Sequence, residues 1–246
     1  MSDLAESSFI SHLIELRDRL IRSLVAIGLV FIALCIYPGP GYIYDLLALP
    51  LTQALPQGTK MLAIGVVTPF MVPIKVTSMV AFVIALPFVL YQVWSFVAPG
   101  LYAHEKRLGL PLLIASTLLF LLGMAFCYFL VFGQAFKFIA SFAPKSITAA
   151  PDIESYLSFV LTMFTAFGLA FEVPVVLVVL VRMGIVSVEK LRQWRSYFVV
   201  CAFVIAAVVT PPDVVSQLAL GIPMCLLYEI GIICASIVAK SAREKA

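Results

Sequence analysis

The sequence predicts an all-α, polytopic membrane protein with six transmembrane helices, both termini cytoplasmic, and spans five and six short. Three observations carry that expectation. Of 246 residues, 63% are hydrophobic and 12% charged, about half the roughly 25% charge of a soluble domain, and mean hydropathy is +1.12. Apolar runs recur between charged positions at the ~17–25 residues that cross a bilayer. Lys and Arg divide unevenly between alternate loops, which sets orientation. The chain is read as a single integral membrane domain over 1–246.

The spans follow from the charges. SLVAIGLVFIALCIY lies between Arg22 and Asp45 and is stopped by Pro38-Gly39-Pro40-Gly41, giving span one at about 20–37. Nothing is charged between Lys75 and Glu105, which places span two at about 70–97. Span three, about 110–136, lies between Arg107 and Lys137. Span four, about 155–181, runs from Glu154 to Arg182 and is broken only by Glu172. Spans five and six, about 196–210 and 214–238, flank the turn TPPDVVSQ as a tight hairpin. Fifteen helical residues rise only ~23 Å, short of the ~30 Å hydrocarbon core, so this hairpin should thin the bilayer or sit recessed in it. Prolines 87, 111, 174 and 223 are placed to kink spans two, three, four and six.

One side of this scheme holds Arg17, Arg19, Arg22, Lys106, Arg107, Arg182, Lys190, Arg192, Arg195, Lys240, Arg243 and Lys245; the other holds Lys60, Lys75, Lys137 and Lys145. Twelve against four puts both ends in the cytoplasm. The opening MSDLAESSF is acidic and polar, unlike a cleavable signal, so span one is expected to act as its own insertion signal. Outside, YDLLALPLTQALP is expected to form a short interfacial helix broken at Pro50.

Catalytic patterns are missing. His104-Glu105 opens like HExxH but has no second histidine. There is no P-loop, GxGxxG or GxSxG, and no paired intramembrane aspartates. The five cysteines lie inside apolar runs and read as small core residues. No enzyme, metal or cofactor is expected, and no nucleic acid. Transport, a channel or a receptor for other proteins remains.

FISHLIELRDRLIRSL, residues 9–24, is amphipathic. Glu15, Asp18, Arg19 and Arg22 fall on one helical stripe, and Arg17 points elsewhere. Glu15–Arg19 and Asp18–Arg22 can neutralise each other there. A second carboxylate, Glu105, stands alone in the loop after span two. Two separate carboxylates at a membrane face suit a ligand with two adjacent arginines beside an apolar stretch.

HLIELRDRL, VVTPFMVPIK, LYQVWSFVAPGLYAHEKR, YLSFV, AFGLAFEVPV, VVTPPDVVSQ and GIPMCLLYEIG, in that order, resemble the TatC family over about residues 9–238. The resemblance implies six spans with cytoplasmic ends and recognition of twin-arginine signal peptides on folded cargo. It implies that Glu15 and Glu105 help bind the arginine pair, and that Arg17, Arg19 and Phe96 match other positions important for recognition or function. Pro50 and Phe70 match outer-face positions important for transport. TatB- and TatA-type single-span subunits are implied to dock near spans five and six. Further copies of the chain and membrane lipid complete the expected surroundings. Asp18 departs from the pattern, standing where relatives often carry lysine.

Glu172 lies ten residues before Arg182, ~15 Å from that boundary and roughly mid-bilayer. A carboxylate there is costly. It reads either as a protonated or hydrogen-bonded structural group or as a polar contact for a partner's helix, and the resemblance favours the partner. Gln217 is a second candidate contact. Glu229 is a third, with Tyr228 beside it facing lipid.

The first functional reading is a receptor and assembly platform that uses the proton gradient with its single-span partners. The alternative is a proton-coupled secondary transporter with Glu172 and Glu229 as coupling sites. A carrier usually shows an internal repeat and more polar residues at mid-membrane, and neither is visible. Six helices this apolar cannot line an aqueous pore for a folded protein, so passage is expected to need other subunits.

Overall fold

The computed structural model describes residues 2–54, 62–97, 106–141, 152–210 and 214–243, and these are helical apart from short connections. In chain order the helices are α1 (Ser2–Ile36), α2 (Pro40–Ala54), α3 (Thr68–Val97), α4 (Lys106–Phe126), a π-helical turn (Cys127–Val131), α5 (Phe132–Ser141), α6 (Ile153–Phe171), α7 (Val173–Arg182), α8 (Val188–Gln193), α9 (Arg195–Val209) and α10 (Val214–Arg243). Five stretches are long and apolar enough to cross a membrane: Ile10–Ile36, Thr68–Val97, Gly109–Ala135, Ile153–Arg182 and Val214–Lys240. Arg195–Val209 is apolar but shorter.

The amphipathic segment and span one are one helix. It stops where Gly39, at φ +95°, turns left-handed and its N–H reaches back to the Leu34 carbonyl at 3.1 Å. Of the terminal hairpin only the first arm is short. The second, α10, runs 30 residues through Pro223 to Arg243, because nothing after its apolar stretch ends a helix.

Span four is two helices. Pro174, having no N–H, cannot serve the carbonyl four residues before it, and the chain turns at Glu172. Glu172 N–H instead bonds the Leu169 carbonyl at 3.1 Å, and Val176 N–H restarts the ladder on the Glu172 carbonyl at 3.0 Å.

The expected break at Pro50 does not occur, since α2 continues to Ala54. A proline orphans the carbonyl four residues earlier, here that of Leu46. The Tyr128 hydroxyl donates to it at 3.2 Å, and the Tyr156 hydroxyl donates to the Leu47 carbonyl at 3.2 Å. With those carbonyls satisfied from outside, the helix need not end.

The largest core lies between the π turn, α6, α9 and α10, around Phe132, Met163, Phe164, Phe167, Ala206 and Leu220. Close helix approach is built on small residues, as is usual in lipid. A Cβ at Gly123 would lie against the Phe167 carbonyl oxygen of α6, and one at Gly168 would enter the Phe120 ring of α4. That contact brings α4 to the Glu172 turn. The outer surface carries many large apolar side chains, including Leu29, Leu118, Leu169 and Ile233, as a lipid-facing bundle requires.

Candidate functional site

Two polar clusters flank the last turns of α3. On the side of α1, Arg19 donates to Glu15 Oε1 through Nε at 2.9 Å and Nη2 at 2.6 Å. Its Nη1 reaches the buried Gln92 Oε1 on α3 at 3.3 Å. Glu15 Oε2 is left facing His12 Nδ1 at 3.9 Å, and the His12 ring stacks on Phe96 at 4.3 Å between centroids. The Glu15 side chain is 41% exposed. The expected Glu15–Arg19 pair therefore forms, and α3 supplies its backing. Asp18 pairs differently from the expectation. Arg17 Nη2 and Nε donate to its Oδ1 at 2.9 and 3.1 Å, so the neighbour along the chain takes the place assigned to Arg22. Glu105 lies outside the described residues.

On the other side, Trp94 points away from α1. Its Nε1–H donates to Ser116 Oγ of α4 at 3.0 Å, and Ser116 Oγ–H donates to Glu172 Oε2 at 2.5 Å. Glu172 is 7% exposed, and among the described residues its Oε1 has no hydrogen-bond partner. Ser116 and Trp94 are both buried. The carboxyl thus sits inside the bundle, fixed by two elements that lie far from it in sequence.

The remaining candidates are scattered. Gln217 Nε2 reaches the Phe203 carbonyl on α9 at only 3.5 Å. Glu229 is an ion-pair partner, 2.6 Å from Arg195 Nη2. Tyr228 does not face lipid: it is buried, donates to the Leu191 carbonyl at 2.8 Å and stacks on Phe198 at 4.0 Å. Phe70 is 64% exposed at the far end of α3, near the Lys75–Glu154 pair at 2.9 Å. Pro50 lies in α2, whose Ile43 packs on Val72 and Val76 toward that end of α3. At that end Asp152 caps α6, its Oδ2 accepting from Ser155 N–H at 3.0 Å. That backbone donor holds the Asp152 carboxyl below the usual carboxylate range.

Sequence reasoning did not single out Gln92, Trp94 or Ser116 and gave His12 no role. A signal existed, since Gln92 is a lone amide in an otherwise apolar run. Its partner could not be read without the fold.

The family model described as Sec-independent protein translocase protein (TatC) matches residues 11–223. The chain is 48% identical to the Haemophilus influenzae Sec-independent protein translocase protein TatC over 236 residues, covering 96% of this chain and 91% of the relative. It is 52% identical to the Escherichia coli K12 protein of that name, covering 91% of this chain and 86% of the relative. The Aquifex aeolicus relative is 40% identical, with 95% of this chain and 96% of the relative covered. A crystal structure of the twin arginine translocase receptor TatC superposes with TM-score 0.78 at 41% identity, covering 92% of this chain and 99% of that one. With the helical bundle and these matches together, the chain belongs to the TatC family of Sec-independent protein translocases, as a multi-pass membrane protein.

Proposed function

We propose that this chain is the signal-peptide receptor and core subunit of the twin-arginine translocase, exporting folded proteins across the cytoplasmic membrane on the proton gradient. In this reading it is one membrane domain of six spans, the fifth being the short Arg195–Val209, with both termini in the cytoplasm. Glu15 and Glu105 accept the arginine pair of the signal peptide. Phe96 offers an apolar face beside them, and Arg17 and Arg19 tune the carboxylates. Single-span TatA and TatB subunits dock on the flank that carries Gln217, and Glu172 provides the intramembrane polar contact. Pro50 and Phe70 act at the outer face, and further copies of the chain complete the assembly.

The observation that carries this reading is the state of Glu15. It is exposed, it already holds one guanidinium through Oε1, and its Oε2 is not engaged within hydrogen-bond distance of His12. An incoming arginine finds an acceptor pre-oriented by Arg19. Charge-assisted hydrogen bonds of this kind contribute about 1.5–3 kcal/mol each, so the site should prefer the forked guanidinium to the ammonium of lysine. Titrating a labelled signal peptide and its twin-lysine version against the membrane-embedded chain tests this. The arginine peptide should bind at least about tenfold tighter, and Glu15→Gln with Glu105→Gln should erase the difference. Equal affinity for both peptides in the unmodified chain would overturn the assignment. Passage itself is assigned to the assembly, so the chain reconstituted alone should move no cargo. The carrier alternative gains nothing from Glu229, whose carboxylate is held by Arg195.

A further inference from the structure

The helix α2 holds the bundle through one face, where Tyr44 and Leu47 pack half-buried against the core. Of residues 40–49 only Ile43 and Ala48 are buried, and Tyr42, Leu46 and Leu49 are exposed. Ile43 packs with Val72, Val76 and Leu157. What α2 has in addition is a pair of hydroxyl donors on successive carbonyls. Leu46 O accepts from Tyr128 and Leu47 O from Tyr156, across 82 and 109 residues of chain. The Leu46 carbonyl is the one that Pro50 cannot serve.

The donors are built into their own elements. Tyr156 is buried in the first turn of α6. Tyr128 lies inside the π turn Cys127–Val131, a rare local insertion in a helix that is frequent at functional sites. Its ring sits edge-on to Phe129 at 5.0 Å and tilted against Phe164 at 6.4 Å. Proline, π turn and tyrosine therefore form one arrangement. The proline exposes an acceptor, and the π turn carries the donor that meets it.

We propose that Tyr128 and Tyr156 are positioning residues for transport, which latch the Pro50 segment of α2 onto the third and fourth long apolar stretches. Their work is at the opposite end of α3 from Glu15, so it goes beyond the receptor reading. Tyr128 is only partly buried, so its hydroxyl can release and re-form its bond, while Tyr156 is held in the largest core.

The test is hydrogen–deuterium exchange of the complete chain in lipid nanodiscs, paired with export in cells. Tyr128→Phe keeps the ring and removes the donor. Exchange across residues 40–54 should rise about tenfold, the order expected when a carbonyl loses its donor, while signal-peptide binding stays unchanged. Tyr128→Phe with Tyr156→Phe should slow export. Pro50→Ala returns an N–H to Leu46, so Pro50→Ala added to Tyr128→Phe should restore α2 protection. Normal α2 exchange in Tyr128→Phe, no restoration by Pro50→Ala, lost peptide binding in Tyr128→Phe, or normal export in the double tyrosine variant would each overturn the latch. A chain that binds no signal peptide in any form contradicts the receptor reading instead and leaves the exchange result standing.

Discussion

Glu15 and Glu172 both accept hydrogen bonds from a side chain, yet their surroundings are opposite. Glu15 is exposed and its donor, Arg19, comes from one turn along the same helix. Glu172 is buried at a helix break, and its donor Ser116 comes from α4, itself held by Trp94 of α3. An exposed local pair exchanges partners at little cost, as a receptor for an arginine ligand requires. A buried carboxyl tied to two other elements keeps its place, and removing its donor leaves a desolvated acceptor. The same α3 turns serve both, with Gln92 and Phe96 facing α1 and Trp94 facing Ser116.

The largest effect should come from breaking the buried cluster. Ser116→Ala strips Glu172 of its donor and should cost about 1–3 kcal/mol of folding stability, read as a lower unfolding midpoint in detergent titrations, with signal-peptide binding retained. An unchanged midpoint would mean that Glu172 is held by something else. Next is Trp94→Phe, which keeps an aromatic ring but removes the N–H to Ser116. About 1 kcal/mol is expected, and in Ser116→Ala the same change should cost less, because the two act in one chain of bonds. At the half-buried site Arg19→Ala should cost about 0.5–1 kcal/mol, since it removes both the i,i+4 pair with Glu15 and the guanidinium contact to the buried Gln92 Oε1. It should nonetheless weaken peptide binding by leaving Glu15 unoriented. A larger stability loss there than in Ser116→Ala would invert the comparison.

Asp152 sharpens the contrast through pH. Its folded carboxyl lies below the usual range because of the Ser155 N–H. The cap therefore contributes fully above the ordinary carboxylate value and is lost as pH falls through the lowered folded value. Asp152→Asn keeps a capping oxygen without a titrating one. The difference in unfolding midpoint between wild type and Asp152→Asn should change on acidification, and a pH-independent difference would remove Asp152 from the account.

Local pairs were legible in the sequence and remote ones were not. Five long apolar helices followed from charge spacing, and the Glu15–Arg19 pair from helical periodicity. Asp18 was misassigned because periodicity ranks Arg22 as its neighbour on the stripe, whereas the Arg17 side chain folds back to it. The break at Pro50 was a sound local inference, undone by hydroxyls 82 and 109 residues away. Tyr228 looked lipid-facing because its burial depends on α8 and α9, whose docking no spacing reveals. Glu172 was picked out as anomalous by composition alone, but Ser116 and Trp94 needed the fold.

The most direct measurement is crosslinking of a twin-arginine signal peptide to the chain in membranes, comparing Glu15→Ala, Glu105→Ala and Glu172→Ala. The account predicts that the first two lose the crosslink, while Glu172→Ala keeps it and fails in export. Normal crosslinking in all three would place the arginine-pair site elsewhere and contradict the central claim.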